Sequence, residues 1–435
     1  MSKANNSQRT PPHVALFPSA GMDHLTPFLR LATMLASQNC VVTLVTAQPP
    51  VSAAESTYLS SFLASHAQIK GLEFQVLPFE PTNLTTDDPF FLQFEATRRS
   101  IADDLCIPNY IVLTTSARFF SLMANRPHLT LEKYAKFSGS DKSLEIPGLA
   151  PLPLSSIPPP LFNSDHLFTT LITSNATSLS KAKGILMNTF DGFDPETIAA
   201  LNNGRVISNL PPVLPVGPFE TYELKQGHHL PWLDDQPAES VLYVSFGSRT
   251  TMSKDQIREL GHGVERSGCR FLWVLKAKKV DKEELEELLG VSFLERTKNK
   301  GMVVKGWVNQ EAILEHPAIG GFLSHCGWNS VMEVTRQGLP ILAWPQHGDQ
   351  KINAEVAEKA GLGLWIRQWG WGGGGGGGVR LVRGEEIGEK VIELMGDENL
   401  RAKARKVGEE ARKAGDEGGS SKKVLQGVIE MLKPI

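Results

Sequence analysis

The stretch from Trp307 to Gln350, WVNQEAILEHPAIGGFLSHCGWNSVMEVTRQGLPILAWPQHGDQ, constrains the fold of this chain more than any other. Its run Gly320–Ser324 is small and apolar, the composition of a parallel strand buried on both faces. His325, Cys326, Gly327, Trp328, Asn329 and Ser330 follow at once, and an amphipathic pattern then predicts a helix through Gln337. A strand feeding a helix through small and polar residues leaves unpaired backbone N–H groups at the helix N-terminus, where the dipole also favours an anion. That arrangement suits phosphate. Glu333, one turn into the helix, can accept hydrogen bonds from a ribose. Pro340–Pro345 predicts a second strand, and Asp349 and Gln350 beyond it pair a carboxylate with an amide, suited to sugar hydroxyls. Upstream, Met302–Trp307 predicts a short strand whose last residue, Trp307, offers a flat face to a base.

These residues resemble the signature box of plant UDP-dependent glycosyltransferases (family 1) in start, end and length. The resemblance implies a donor-binding set of Trp307, Val308, Gln310, His325, Trp328, Asn329, Ser330, Glu333, Asp349 and Gln350. In that set Trp307 stacks on uracil, and His325, Asn329 and Ser330 hold the diphosphate. Glu333 holds the ribose, and Asp349 with Gln350 holds the sugar. Gln350 at the last position, with Trp328 inside the box, points to a glucose donor. Ser248, after the apolar run VLYVSFGS, adds a further diphosphate contact.

The remainder of the chain agrees with a globular α/β protein. At 435 residues it is long enough for two domains. A formal net charge of −3 gives no reason to expect nucleic acid or an anionic membrane as partner. Cys40, Cys106, Cys269 and Cys326 lie far apart without metal-ligand spacing, which fits a reducing, cytoplasmic setting. The N-terminus lacks the apolar core of a signal peptide, and no segment reaches the roughly 20 apolar residues of a membrane span. A monomer is expected.

Two halves emerge along the chain. His13–Pro18, a helix from about Leu25 to Ser37 and Val41–Thr46 predict a βαβ opening; Leu72–Leu77, Tyr110–Thr114 and Ile185–Asn188 predict further strands. The Pro-rich segments Pro147–Pro160 and Leu210–Pro218 read as a loop and as an interdomain linker. In the second half Val241–Phe246 and Phe271–Lys276 predict parallel strands, and Ser253 with Gln256 has capping-box spacing. Seven consecutive glycines from Gly372 read as a surface loop. The expected architecture is two doubly wound parallel-sheet domains facing a cleft, which the resemblance names GT-B. The expected division is 1–218 for acceptor, 219–415 for donor, and 416–435 for a helix returning to the N-terminal domain.

On the acceptor side, His24 ends the first βα loop at a helix start, where the dipole favours neutral imidazole. A neutral His can take a proton from a phenol. The resemblance places a catalytic base here, in the Gly-x-x-His context of SAGMDH. It also implies an Asp on a later strand to orient the base. The sequence departs from that pattern: between Glu95 and Tyr110 there is no room for the roughly 30 residues of a βαβ unit. Asp104 or its neighbour Asp103 is the available stand-in. Asp88 in DDPFF, the SAGMDH loop and Arg249 resemble the flavonoid C-glycosyltransferase branch, with Phe90, Phe91 and Phe94 suited to a flat aromatic acceptor. The expectation is therefore inverting, metal-free C-glucosylation of a polyphenol from UDP-glucose with His24 as base and Asp88 and Asp104 as further catalytic candidates. O-glucosylation, or UDP-sugar binding with impaired turnover, are the alternatives.

Overall fold

A computed structural model describes residues 10–19, 21–48, 50, 52–75, 108–137, 142–222, 230–247, 250, 252–275, 285–306, 308–371 and 380–433. In the N-terminal half, β1 (His13–Leu16), β2 (Val41–Gln48) and β3 (Ile69–Gln75) form a parallel sheet in that order. A second parallel sheet joins β4 (Tyr110–Leu113), β7 (Gly184–Met187) and β8 (Val213–Pro215). The two-residue strands β5 (Ser143–Leu144) and β6 (Leu152–Pro153) make a small antiparallel pair, with β6 inside the Pro-rich segment expected to be loop.

The single N-terminal sheet expected from sequence is thus hydrogen-bonded as two among the described residues, since β1 and β4 do not pair. Residues 76–107, between β3 and β4, lie outside the described residues. The linker expected at Leu210–Pro218 is corrected too: it contains β8, which pairs with β7 through Ile185–Val213 and Leu186–Leu214. Three residues carry too little alternation to announce a strand; the partner strand makes it one.

Both small sheets share one core. Leu16, Val42 and Leu44 pack with Leu186, with the helix Met22–Ser37 through Leu25, Phe28 and Leu29, and with Leu425, Val428 and Ile429 of the helix Ser420–Met431. The last helix therefore lies on the N-terminal half, tied further by Ser421 Oγ donating to the Gly217 carbonyl at 2.6 Å.

The C-terminal half is one six-stranded parallel sheet built from β9 (Val241–Ser245), β10 (Arg270–Leu275), β11 (Gly301–Lys305), β12 (Ile319–Ser324), β13 (Ile341–Ala343) and β14 (Gly363–Trp365). Its spatial order is β11-β10-β9-β12-β13-β14. This is the dinucleotide-fold order, whose direction reverses between β9 and β12. β9 and β12 are buried along their whole length, which is why they read as unbroken apolar runs. The helix Lys254–Arg266 starts at Ser253, whose side chain accepts from the Gln256 N–H as the capping-box spacing predicts. No described helix is long and apolar enough to cross a membrane.

Candidate active site

In sheets of this order, ligands bind beyond the strand carboxyl ends at the point of reversal. Here Ser245 at the end of β9 lies in register with Ser324 at the end of β12, so the two following turns meet. The β9 turn contains Gly247 at φ 73°, and the β12 turn contains Cys326 at φ 62°, a left-handed conformation that is costly for a residue with a Cβ. Two hydrogen bonds hold that turn: Cys326 N–H donates to Ser324 Oγ (3.1 Å), and Asn353 Nδ2 donates to the Cys326 carbonyl (3.1 Å). Burial pushes the Cys326 thiol well up, so it is a packing residue rather than a nucleophile. The turn delivers His325 between two glycines. A Cβ on Gly247 or on Gly327 would stand 2.6 Å from its Nε2.

The helix Trp328–Gln337 begins immediately afterwards, and Gly327 gives it no side-chain cap. Its first-turn N–H groups are therefore left for an anion. Asn329 Nδ2 donates to the carbonyl of Asp23 at 2.8 Å, which draws this helix start against the first turn of the helix that carries His24. Ser330 Oγ accepts from Gln310 Nε2 (2.9 Å), and the same amide donates to Glu333 Oε2 (2.7 Å). Arg30 NH2 donates to Glu333 Oε1 at 2.6 Å from the N-terminal half.

Four of the expected donor residues are placed differently from the simplest expectation. The Trp328 indole is 3% exposed, packs edge-on against Phe193, and donates from Nε1 to the Asn188 carbonyl at 2.9 Å. Only the backbone of Trp328 remains for a donor. Val308 is buried in the same core. Gln350 turns its Oε1 back to the N–H groups of Gln346 (2.7 Å) and His347 (2.9 Å), capping its own loop. Asp349 is half-buried and accepts from Thr115 Oγ1; desolvation raises its pKa from the ordinary carboxylate range. These tight turns use their polar side chains to satisfy backbone groups, a need that residue spacing does not reveal. Trp307, Ser248, Asp88 and Asp104 lie outside the described residues.

His24 is the third residue of the helix Met22–Ser37, and its N–H donates to the Gly21 carbonyl (3.0 Å). Its Nδ1 lies 2.9 Å from Thr114 Oγ1, just past the end of β4. The helix dipole and this hydroxyl orient the ring. Sequence reasoning missed Thr114, Thr115 and Arg30. Arg30 did carry a signal, since it is a charge inside the apolar run PFLRLATML, which demands a buried partner. Among the described residues no group of three or more His, Cys, Asp or Glu side chains is placed to hold a metal ion.

A reversal-point donor site on one α/β half, closed by a histidine-bearing helix from another, is the layout of a GT-B nucleotide-sugar transferase. Comparison with known proteins agrees. A family model described as UDP-glucoronosyl and UDP-glucosyl transferase matches residues 220–368. UDP-glycosyltransferase 708C1 of Fagopyrum esculentum is 50% identical over 457 positions, covering 97% of this chain and 96% of the relative. UDP-glycosyltransferase CGT of Oryza sativa subsp. indica is 43% identical, covering 95% and 94%. The crystal structure of LpCGTa in complex with UDP superposes with a TM-score of 0.83 at 43% identity, covering 98% of this chain and all of that one. The chain belongs to the plant UDP-dependent glycosyltransferases of family 1, in their C-glycosyltransferase branch. It is an enzyme that transfers a glycosyl group from a UDP-sugar. The 457 matched positions exceed the 435 residues here, so the Fagopyrum relative has residues without counterpart in this chain.

Proposed function

We infer that the chain transfers glucose from UDP-glucose to an aromatic carbon of a flavonoid or related polyphenol, with inversion. The observation that carries the catalytic part is the approach of the Asn329 helix start to the first turn of the His24 helix, through the 2.8 Å bond to the Asp23 carbonyl. That contact supports a reading in which His24 and the helix start face each other across the donor and the acceptor. His24 Nε2 takes the phenolic proton while Nδ1 is held at Thr114. The phenolate pushes electron density onto the ortho carbon, and that carbon attacks the anomeric carbon of the sugar. The C–O bond to the diphosphate breaks, UDP leaves with the electron pair, the ring carbon gives its proton to water to restore aromaticity, and protonated His24 returns its proton to the phenolate oxygen. Charge growing on the diphosphate meets the first-turn N–H groups of the helix Trp328–Gln337 and His325. Carbon as nucleophile is supported by the relatives that bear the CGT name.

Donor binding with weak turnover is a second reading. It is favoured by the aligned length of the Fagopyrum relative, which exceeds that of this chain. The test is incubation with UDP-glucose and phloretin followed by acid hydrolysis of the product. An acid-resistant glucoside supports carbon transfer, a labile one moves the reading to oxygen, and UDP binding without product supports the second reading.

A further inference from the structure

Arg30 lies on the helix Met22–Ser37, six residues beyond His24, and is 3% exposed. Nothing in its own helix neutralises it. Its NH2 group reaches into the C-terminal half, 2.6 Å from Glu333 Oε1 and 3.0 Å from Glu311 Oε1. Its Nε finds no acceptor among the described residues, and both carboxylates are met by NH2. Burial, opposed by the guanidinium, leaves the Glu311 carboxyl raised to about 7. The other oxygen of Glu333 is held by Gln310 Nε2 at 2.7 Å, and Gln310 is itself held through Oε1 by the Tyr243 hydroxyl at 3.3 Å. Glu333 is thus fixed from both sides, with its side chain only 8% exposed.

A carboxylate offers about four acceptor positions. Arg30 and Gln310 use one on each oxygen. The remaining positions form a rigid pair of acceptors, the geometry that suits a vicinal diol. Without Arg30 the carboxylate would be buried with one neutral partner, which favours its rotation toward solvent.

We propose that Arg30 is a positioning residue for ribose recognition, holding Glu333 across the boundary between the halves so that the carboxylate reads the ribose diol only when the halves are closed. The proposal rests on the reading of Glu333 as the ribose contact. It makes closure and nucleotide recognition share one carboxylate, so the N-terminal half contributes to donor specificity without touching the donor.

The test compares binding of UDP and of 2′,3′-dideoxy-UDP by calorimetry, in the full chain and in Arg30→Met, Arg30→Lys and the charge-balanced Arg30→Met/Glu311→Gln. The wild-type protein is expected to prefer UDP clearly. Arg30→Met is expected to weaken UDP about tenfold and leave dideoxy-UDP within about twofold, because the coupling belongs to the diol. Arg30→Lys restores part of the UDP affinity, since it keeps the charge and loses the fork. The double variant keeps the net charge of the cluster at its wild-type value, so it separates recognition from folding. If it is folded and has lost the preference, the proposal stands. Equal weakening of both nucleotides, or an unchanged preference, overturns it. A wild-type protein that binds both nucleotides equally contradicts the ribose assignment of Glu333 itself, and the proposal with it.

Discussion

The Nδ1 atom of His24 lies 2.9 Å from Oγ1 of Thr114, with the helix start of one residue set against the strand end of the other. For Nε2 to act as a base, Nδ1 must carry the proton and donate it to the threonine hydroxyl. His24→Ala is therefore expected to lower kcat by a factor of about 100 to 10,000 while leaving UDP affinity unchanged. Thr114→Val is expected to lower kcat about threefold to tenfold, the scale of one neutral hydrogen bond. Steady-state kinetics together with UDP calorimetry on both variants checks the pair. Loss of UDP binding in His24→Ala would place His24 in donor binding instead.

Gly327 is required by His325. An added Cβ there would stand 2.6 Å from His325 Nε2, while the backbone at Gly327, φ −57°, accepts any residue. Gly327→Ala is thus expected to displace the imidazole without straining the chain. UDP-glucose KM should rise about tenfold, the scale of one charge-assisted hydrogen bond to the diphosphate, with a change in melting temperature of no more than a few degrees. Steady-state kinetics and a thermal melt of the variant check both parts.

The sequence made the C-terminal half legible because its strands are doubly buried and its turns are glycine-marked. β9, β10 and β12 fall where the apolar runs lie. The helix Trp328–Gln337 ends at Gln337 as expected, with Gly338 following at φ 70°. β8 and β14 were not legible, whereas β13, equally short, lies inside the longer apolar run Pro340–Pro345. The clustering of Gln310, Ser330 and Glu333 follows the spacing of the box, but the partners that the fold gives its side chains were not legible. Trp328, Val308 and Gln350 satisfy the fold with their side chains, and only coordinates separate a backbone contact from a side-chain one.

Trp328 gives a direct check on that distinction. Its indole bridges the halves through the Asn188 carbonyl, so Trp328→Phe leaves a buried carbonyl without that donor. Stability should fall by about 1–3 kcal/mol, measured by urea unfolding, while UDP affinity changes by less than about twofold, because the substitution keeps the backbone at the helix start. An indole that contacts the donor would give the reverse.

Glu311 sets a pH signature. Burial raises its carboxyl from 4.5 to about 7 in the folded chain. Between those values the folded state holds a proton that the unfolded state has released, so this group's contribution falls as pH rises from about 4.5 to about 7. Below the unfolded value its cost is absent, and above the folded value the cost is complete. Glu311→Gln is expected to remove that decline. Melting temperatures across the window should then fall less steeply with pH in the variant than in the wild type.

The most direct measurement is tandem mass spectrometry of the product formed from UDP-glucose and phloretin. A carbon-linked sugar cannot leave as an intact hexose, so the account predicts cross-ring fragment losses from the glucoside and their absence in the His24→Ala reaction. Loss of an intact hexose would contradict transfer to carbon and assign the glucose to a phenolic oxygen.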